Sequence, residues 1–154
     1  MPKIDVAKVP VESRSTYPEP FNRMVAGRSR KRLGNAAGLD QFGVNVTTLK
    51  PGAASALRHW HEKEDEFVYI LAGEVTLIEN DGETVLRAGD AAGFKANVAN
   101  GHHLVNKSAG DAVYIEIGTR SKHERAFYSD VDMMVVRDDS GARYVHKDGK
   151  PYPK

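Results

Sequence analysis

The segment LRHWHEKEDEFVYILAG, residues 57–73, places His59 and His61 two apart and Glu66 five residues later, inside a run that otherwise reads as β-strand. In an extended strand, residues i and i+2 point to the same side. His59 and His61 therefore share a face with Leu57, and Trp60 takes the other. The EKED gap leaves room for a chain reversal, and Glu66 then opens the next strand on the face of Val68 and Ile70. Two neighbouring antiparallel strands would bring His59, His61 and Glu66 together against a core. A carboxylate buried there without compensation is costly. One divalent cation satisfies all three groups. Imidazole nitrogen with carboxylate oxygen favours Mn, Fe, Co, Ni or Zn, whereas oxygen-only ligation would suit Mg or Ca. The segment NGHHLVN offers a fourth ligand. His102 and His103 point opposite ways. His102, on the face of Leu104 and Asn106, is expected inward, and His103 outward or at the rim.

The elements that must carry these groups are short. FGVNVTTLKPG alternates with period two, Phe42, Val44 and Val46 against Gly43, Asn45 and Thr47, which predicts a half-buried strand ended by a turn at Lys50-Pro51-Gly52. EFVYILAG, EVTLIE, ETVLRAG, DAAGFKA, HHLVNKS, AVYIEIGT and VDMMVVRD read as further strands, with Asn80-Asp81-Gly82 as a hairpin turn. Short strands at this spacing, with no long amphipathic helix, predict an all-β sandwich or barrel. A Pro-rich N-terminal arm with a basic loop is expected over 1–34, the barrel over 35–137, and an irregular C-terminal tail over 138–154. The RSRKR run, Arg28 to Arg32, is read as a solvated basic loop. The outward row Trp60, Phe67, Tyr69 and Leu71 needs a cover, and together with the arm it predicts a homodimer.

Composition narrows the function. The 154 residues suit one domain with a real core. The 22 Lys and Arg against 21 Asp and Glu leave a net charge of +1, with no global pull toward nucleic acid or an anionic membrane. The chain has no cysteine, which excludes disulfides and thiolate chemistry. No apolar run resembles a secretory leader or a membrane span, so a cytoplasmic location is expected.

With these residues in view, the sequence resembles the cupin superfamily, whose fold is the double-stranded β-helix, or jelly-roll barrel. The family's first motif has Gly, a short spacer, His-x-His, three or four residues, Glu, six residues and Gly. Here it reads GAASALRHWHEKEDEFVYILAG, from Gly52 through His59, His61 and Glu66 to Gly73. The second motif is represented by GDAAGFKANVANGHHLVN. Gly89, His102 and Asn106 match, Lys95 stands where proline is usual, Asn97 stands where glycine is usual, and the loop is two residues longer than the pattern. The two motifs span residues 52–106. The resemblance implies His59, His61, Glu66 and His102 as ligands of one divalent transition metal. It extends to small single-domain bacterial cupins with a GHHLVN segment and an HKDG-PY tail.

Such a ligand set leaves coordination positions open, as Lewis-acid or redox chemistry requires. Three classes remain: a metal-dependent enzyme acting on a small organic or sugar-like substrate, a non-catalytic binding or sensing barrel, and a structural barrel. Within the first, the resemblance favours isomerase chemistry over an iron-dependent dioxygenase. Lys95, His103 and His146 are further candidates for reaching the pocket. Leu57, Val68, Ile70, Phe94 and Leu104 predict a mostly apolar lining, better suited to an organic acid or an aromatic molecule than to a polyhydroxylated sugar.

Overall fold

The computed structural model describes residues 2–153. Its strands are β1 (Arg28–Arg32), β2 (Phe42–Leu49), β3 (His59–His61), β4 (Glu66–Ala72), β5 (Glu74–Glu79), β6 (Gly82–Arg87), β7 (Ala91–Phe94), β8 (His103–Val105), β9 (Ala112–Thr119), β10 (Glu124–Tyr128), β11 (Met134–Asp138) and β12 (Gly141–Val145). One sheet runs β1-β2-β9-β4-β7, a second β12-β11-β10-β3 and a third β6-β5-β8. Every strand pairing is antiparallel. The second and third sheets meet at a bridge between His59 and His102, whose main chains exchange hydrogen bonds of 3.2 and 2.9 Å. Together they form the wall opposite the five-stranded sheet, which gives the jelly-roll barrel.

One end of the barrel is closed by Leu49, Val68, Ile70, Val75, Leu77, Leu104 and Tyr114, all buried. A second cluster, Leu57, Tyr128 and Met133, is covered by Tyr17 and Phe21 from the arm and by Tyr144 and Tyr152 from the tail. Asn106 is fully buried between β2 and the turn before β9. Its amide donates to the carbonyls of Leu49 and Gly110, and its carbonyl accepts from the main chain of Ser108. It thereby satisfies buried backbone groups that no strand reaches.

Three local expectations change. The RSRKR run is a strand, not a loop: Arg28 to Arg32 pair along β2 from Leu49 to Asn45. The tail contributes β12, paired with β11, so residues 141–145 are regular. On β2, Thr47 and Leu49 are the buried positions, while Phe42 is 40% exposed. The Phe42–Val44–Val46 row therefore faces outward, and the row of Asn45 and Thr47 faces in. The apolar alternation misled because the inner face of this strand meets polar partners, described below.

Gly73 joins β4 to β5 with φ +76, and a Cβ there would sit 2.4 Å from the carbonyl oxygen of Asp111 and 2.9 Å from Ala112 Cα. Both neighbours are backbone and cannot swing aside. Gly93 on β7 has no heavy atom within 4 Å of such a position. Gly73→Ala should cost about 2–4 kcal/mol of unfolding free energy, and Gly93→Ala less than about 1 kcal/mol. Urea denaturation of the two variants checks the contrast, and equal losses would contradict this account of the β4–β5 turn.

Candidate metal centre

The His59–His61 strand, the start of β4 and the segment leading into β8 converge on one oxygen. Glu66 Oε1 lies 3.6 Å from His59 Nε2, 3.1 Å from His61 Nε2 and 3.0 Å from His102 Nε2. Donor atoms of His59, His61 and Glu66 lie within 4.8 Å of one another, and His102 joins them through Glu66. The four residues read from the sequence are thus brought together. Three imidazole nitrogens and a carboxylate oxygen on one side of a cavity form a donor set suited to a divalent transition metal.

The ring orientations have local causes. His59 Nδ1 donates to the carbonyl of Leu57 at 2.7 Å, which leaves the lone pair on Nε2, the nitrogen facing Glu66. The His102 ring stacks on Phe94 with centroids 3.6 Å apart and planes 3° from parallel. His61 Nδ1 is buried without a hydrogen-bond partner. It points between Glu64 Oε1 at 3.8 Å and Glu124 Oε2 at 4.0 Å. Burial alone would raise the Glu66 carboxyl, but the three imidazoles around it, His102 first, hold it well below the usual carboxylate range. Burial pushes His61 down, and the surrounding carboxylates, Glu66 first, more than reverse it. For His102, burial prevails and the pKa falls.

Glu64 and Glu124 were not singled out from the sequence. Both are buried. Glu124 accepts from the main-chain N–H groups of Glu62, Lys63 and Arg125 at 3.1, 3.0 and 2.7 Å. Glu64 accepts from Ser121 N and Arg137 Nη1. These bonds shape the four-residue reversal that separates His61 from Glu66. The sequence clue was weak, a charged EKED gap that looked like a solvated turn. Arg58 performs a similar service across the seam. Its guanidinium donates to Gly101 O at 3.0 Å, to Asn80 Oδ1, and as a fork to Asp130 at 3.1 and 2.9 Å, anchoring the residue before His102.

The other candidates fall at different places. His103 lines the cavity, with Nδ1 donating to Ala56 O at 2.8 Å, but stands apart from the Glu66 cluster. Lys95 lines a smaller cavity of about 230 Å³ behind the centre, next to Trp60 and Val98. Asn97 adopts φ +63, the left-handed conformation that asparagine tolerates, so it can stand where the family pattern has glycine. Its N–H bonds to His61 O at 2.8 Å. His146 does not cover the mouth: it pairs with Asp132 at 3.0 Å and stacks on Tyr152.

The lining corrects the expectation of an apolar pocket. A cavity of about 250 Å³ opens beside Glu66, His59 and His102, and Arg28, Arg30, Tyr114 and Glu116 line it as well. By register Arg28, Arg30 and Arg32 stand beside Leu49, Thr47 and Asn45, and Glu116 lies opposite both Asn45 and Val68. All belong to the inward face. Glu116 accepts from Asn45 Nδ2 at 3.1 Å and Thr47 Oγ1 at 3.0 Å, with Arg30 Nε at 3.7 Å. The signal was present as Arg-Ser-Arg-Lys-Arg, a period-two pattern with arginine as the inward residue, and as a lone Glu116 inside AVYIEIGT.

Comparison with known proteins fits this architecture. A family model for the cupin domain matches residues 45–118. A crystal structure from Silicibacter pomeroyi, described as a sugar phosphate isomerase of the cupin superfamily, is 44% identical, covering 98% of this chain and 96% of its own, with a TM-score of 0.95. The chain belongs to the cupin superfamily. A second crystal structure, from Acidithiobacillus ferrooxidans and provisionally assigned the same activity, is 27% identical over 88% of this chain and 85% of its own, with a TM-score of 0.77. The polyketide cyclase RemF of Streptomyces resistomycificus, 16% identical over 77% of this cupin and 79% of its own chain, shares the fold at a TM-score of 0.64. No curated protein matches this cupin. Among the described residues, no helix is long and apolar enough to cross a membrane.

The role given to Glu124 is directly measurable. Glu124→Ala takes the carboxylate acceptor from the Lys63 and Arg125 N–H groups, while Glu62 N–H keeps Arg125 O, and should lower unfolding free energy by about 2–3 kcal/mol, measured by urea denaturation in the presence of a chelator. A loss below about 1 kcal/mol would show that the reversal holds without it.

Proposed function

We propose that this cupin is a metal-dependent isomerase acting on a small sugar-like substrate, in the class of sugar phosphates. The observation that carries the reading is the convergence of His59, His61 and His102 on Glu66 at the wall of a charged, open cavity. The descriptions attached to the Silicibacter and Acidithiobacillus structures point the same way. A polar lining also favours a hydroxylated, charged substrate over an aromatic one, which makes the dioxygenase alternative the weaker.

His59, His61, Glu66 and His102 would hold one divalent transition metal through Nε2 and carboxylate oxygen. A bound ion of this kind supplies Lewis-acid stabilisation of negative charge on a carbonyl oxygen. The chain's own groups supply the remainder. Among the described residues, Glu116 is the cavity-lining carboxylate besides Glu66, and its hydrogen bonds to Asn45 and Thr47 hold it for proton transfer between adjacent carbons. Phe94 and Val68 keep one side of the cavity dry. The outer face carries Phe67, Tyr69, Leu71 and Ile117 at 36–44% exposure. We place a second copy of the chain on that apolar face, making a homodimer around two independent cavities.

Elemental analysis of protein purified without a nickel column should find one transition metal per chain, and His61→Ala should reduce it at least tenfold. With aldose and ketose phosphates in D2O, proton NMR should show exchange of the hydrogen next to the carbonyl. That exchange should fall at least 100-fold in Glu116→Gln while its metal content stays intact. Full metal loading with no exchange across the panel would leave a binding barrel. Light scattering should give twice the chain mass, reverting to monomer in Tyr69→Lys, and a monomeric wild type would remove the dimer.

A further inference from the structure

The wall opposite the metal centre carries charge that the centre does not use. Strand β1 directs alternate arginines inward, and they differ in how they are neutralised. Arg32 is paired with Glu12 at 2.5 Å. Arg28 is half-buried and bonds only to main-chain carbonyls, Ser55 O at 2.7 Å and Arg14 O at 3.4 Å. Arg30 is 18% exposed and turns Nε toward Glu116 at 3.7 Å, so its terminal nitrogens have no side-chain acceptor among the described residues. Two guanidinium groups thus share one carboxylate in a partly desolvated cavity. Burial, then repulsion from Arg30, draws the Arg28 pKa down, the sign of a cation short of counter-charge.

An independent observation comes from Tyr114. Its ring is fully buried, yet its hydroxyl has no hydrogen-bond partner. The neighbouring Thr47 hydroxyl donates to Glu116. Tyr114 lines the same cavity as Arg28 and Arg30. A buried hydroxyl left unpaired is costly, and an acceptor admitted at this wall of the cavity would relieve that cost.

We infer that Arg28, Arg30 and the Tyr114 hydroxyl form an anion subsite for the phosphate monoester group of the substrate. The reading deepens the proposed function and rests on the cavity being the substrate site. Guanidinium forks match phosphate oxygens two at a time, and a hydroxyl adds a donor. A phosphate dianion fits better than a carboxylate because two arginines and a separate hydroxyl offer more donors than one carboxylate can accept. The subsite would fix the phosphorylated end of the substrate on the five-stranded sheet and leave the carbonyl end toward Glu66. Glu116 lies between them, beside the carbons whose proton would move. Its negative charge also confines the phosphate to the Arg28 side.

The test is titration of inorganic phosphate into the metal-loaded protein by calorimetry, with acetate as the carboxylate probe. Phosphate should bind once per chain and at least tenfold tighter than acetate. Arg28→Gln and Arg30→Gln should each weaken it at least tenfold, and Tyr114→Phe, which keeps the ring in the core, a few-fold. Lys31→Gln, on the outward side of β1, should bind as wild type. Removing the metal with a chelator should leave phosphate binding within a factor of three. Equal binding in the arginine variants, acetate as tight as phosphate, or binding that vanishes with the metal would overturn the subsite. Metal content measured on the same samples separates this from failure of the metal centre. A protein that lacks metal yet binds phosphate through the arginines refutes the centre alone.

Discussion

Glu66 is a carboxylate placed inside a barrel, and three imidazoles are what make that position tolerable. Burial works against its charge, and the surrounding imidazoles, His102 first, more than restore it. Those rings come from three stretches of chain, so Glu66 is satisfied only when β3, β4 and the approach to β8 are all in register. The His59–His102 bridge is also the seam joining two sheets. Closing the barrel wall and assembling the donor set are therefore one event. Arg58, Glu64 and Glu124 serve the same end from outside by fixing the turns on either side of the seam with charge-assisted bonds to main chain.

The barrel is divided along its axis by this requirement. At one end aliphatic side chains close it to water. At the other, the five-stranded sheet turns arginines, Glu116 and Asn45 inward, opposite the histidines. Such groups are affordable only because they face a cavity and partner one another. This division explains why Thr47 and Asn45, not Val44 and Val46, take the inner face of β2: the outer apolar row is free to meet another surface, while the inner row has Glu116 to bind.

Much of this was legible in the chain. The His-x-His spacing, Glu66 after a four-residue gap and His102 before an apolar pair required only the alternation of strands. The Asn-Asp-Gly turn between β5 and β6 was equally plain. What stayed hidden depended on which face of a strand is inside. RSRKR carries its alternation in charged residues, and a scale that equates charge with solvent reads such a strand as a loop. Strand β12 was obscured in the same way, since Gly141, Ala142 and Arg143 are exposed and only its pairing to β11 defines it. Glu64 and Glu124 were hard to see because their partners are main-chain N–H groups, the Arg137 guanidinium and an imidazole brought near by the fold, with no sequence spacing to mark them.

The size of the cavity adds a last constraint. At about 250 Å³ it lies below the range of about 300–1,000 Å³ usual for small-molecule sites. It adjoins a wider cleft of about 760 Å³ that shares Glu66, Glu116, Arg30 and Arg32. Arg30 and Glu116 therefore stand at the junction of the smaller chamber and the wider cleft. A short substrate can lie wholly in the chamber with its charged end against Arg28. A longer one must pass Arg30 and extend into the cleft, where Arg120 and Arg137 are already engaged by Asn35 and Glu64. On the proposed reading, an anion would sit at the Arg28 end of the chamber, added length would run into the cleft, and the reacting carbons would lie between Glu66 and Glu116.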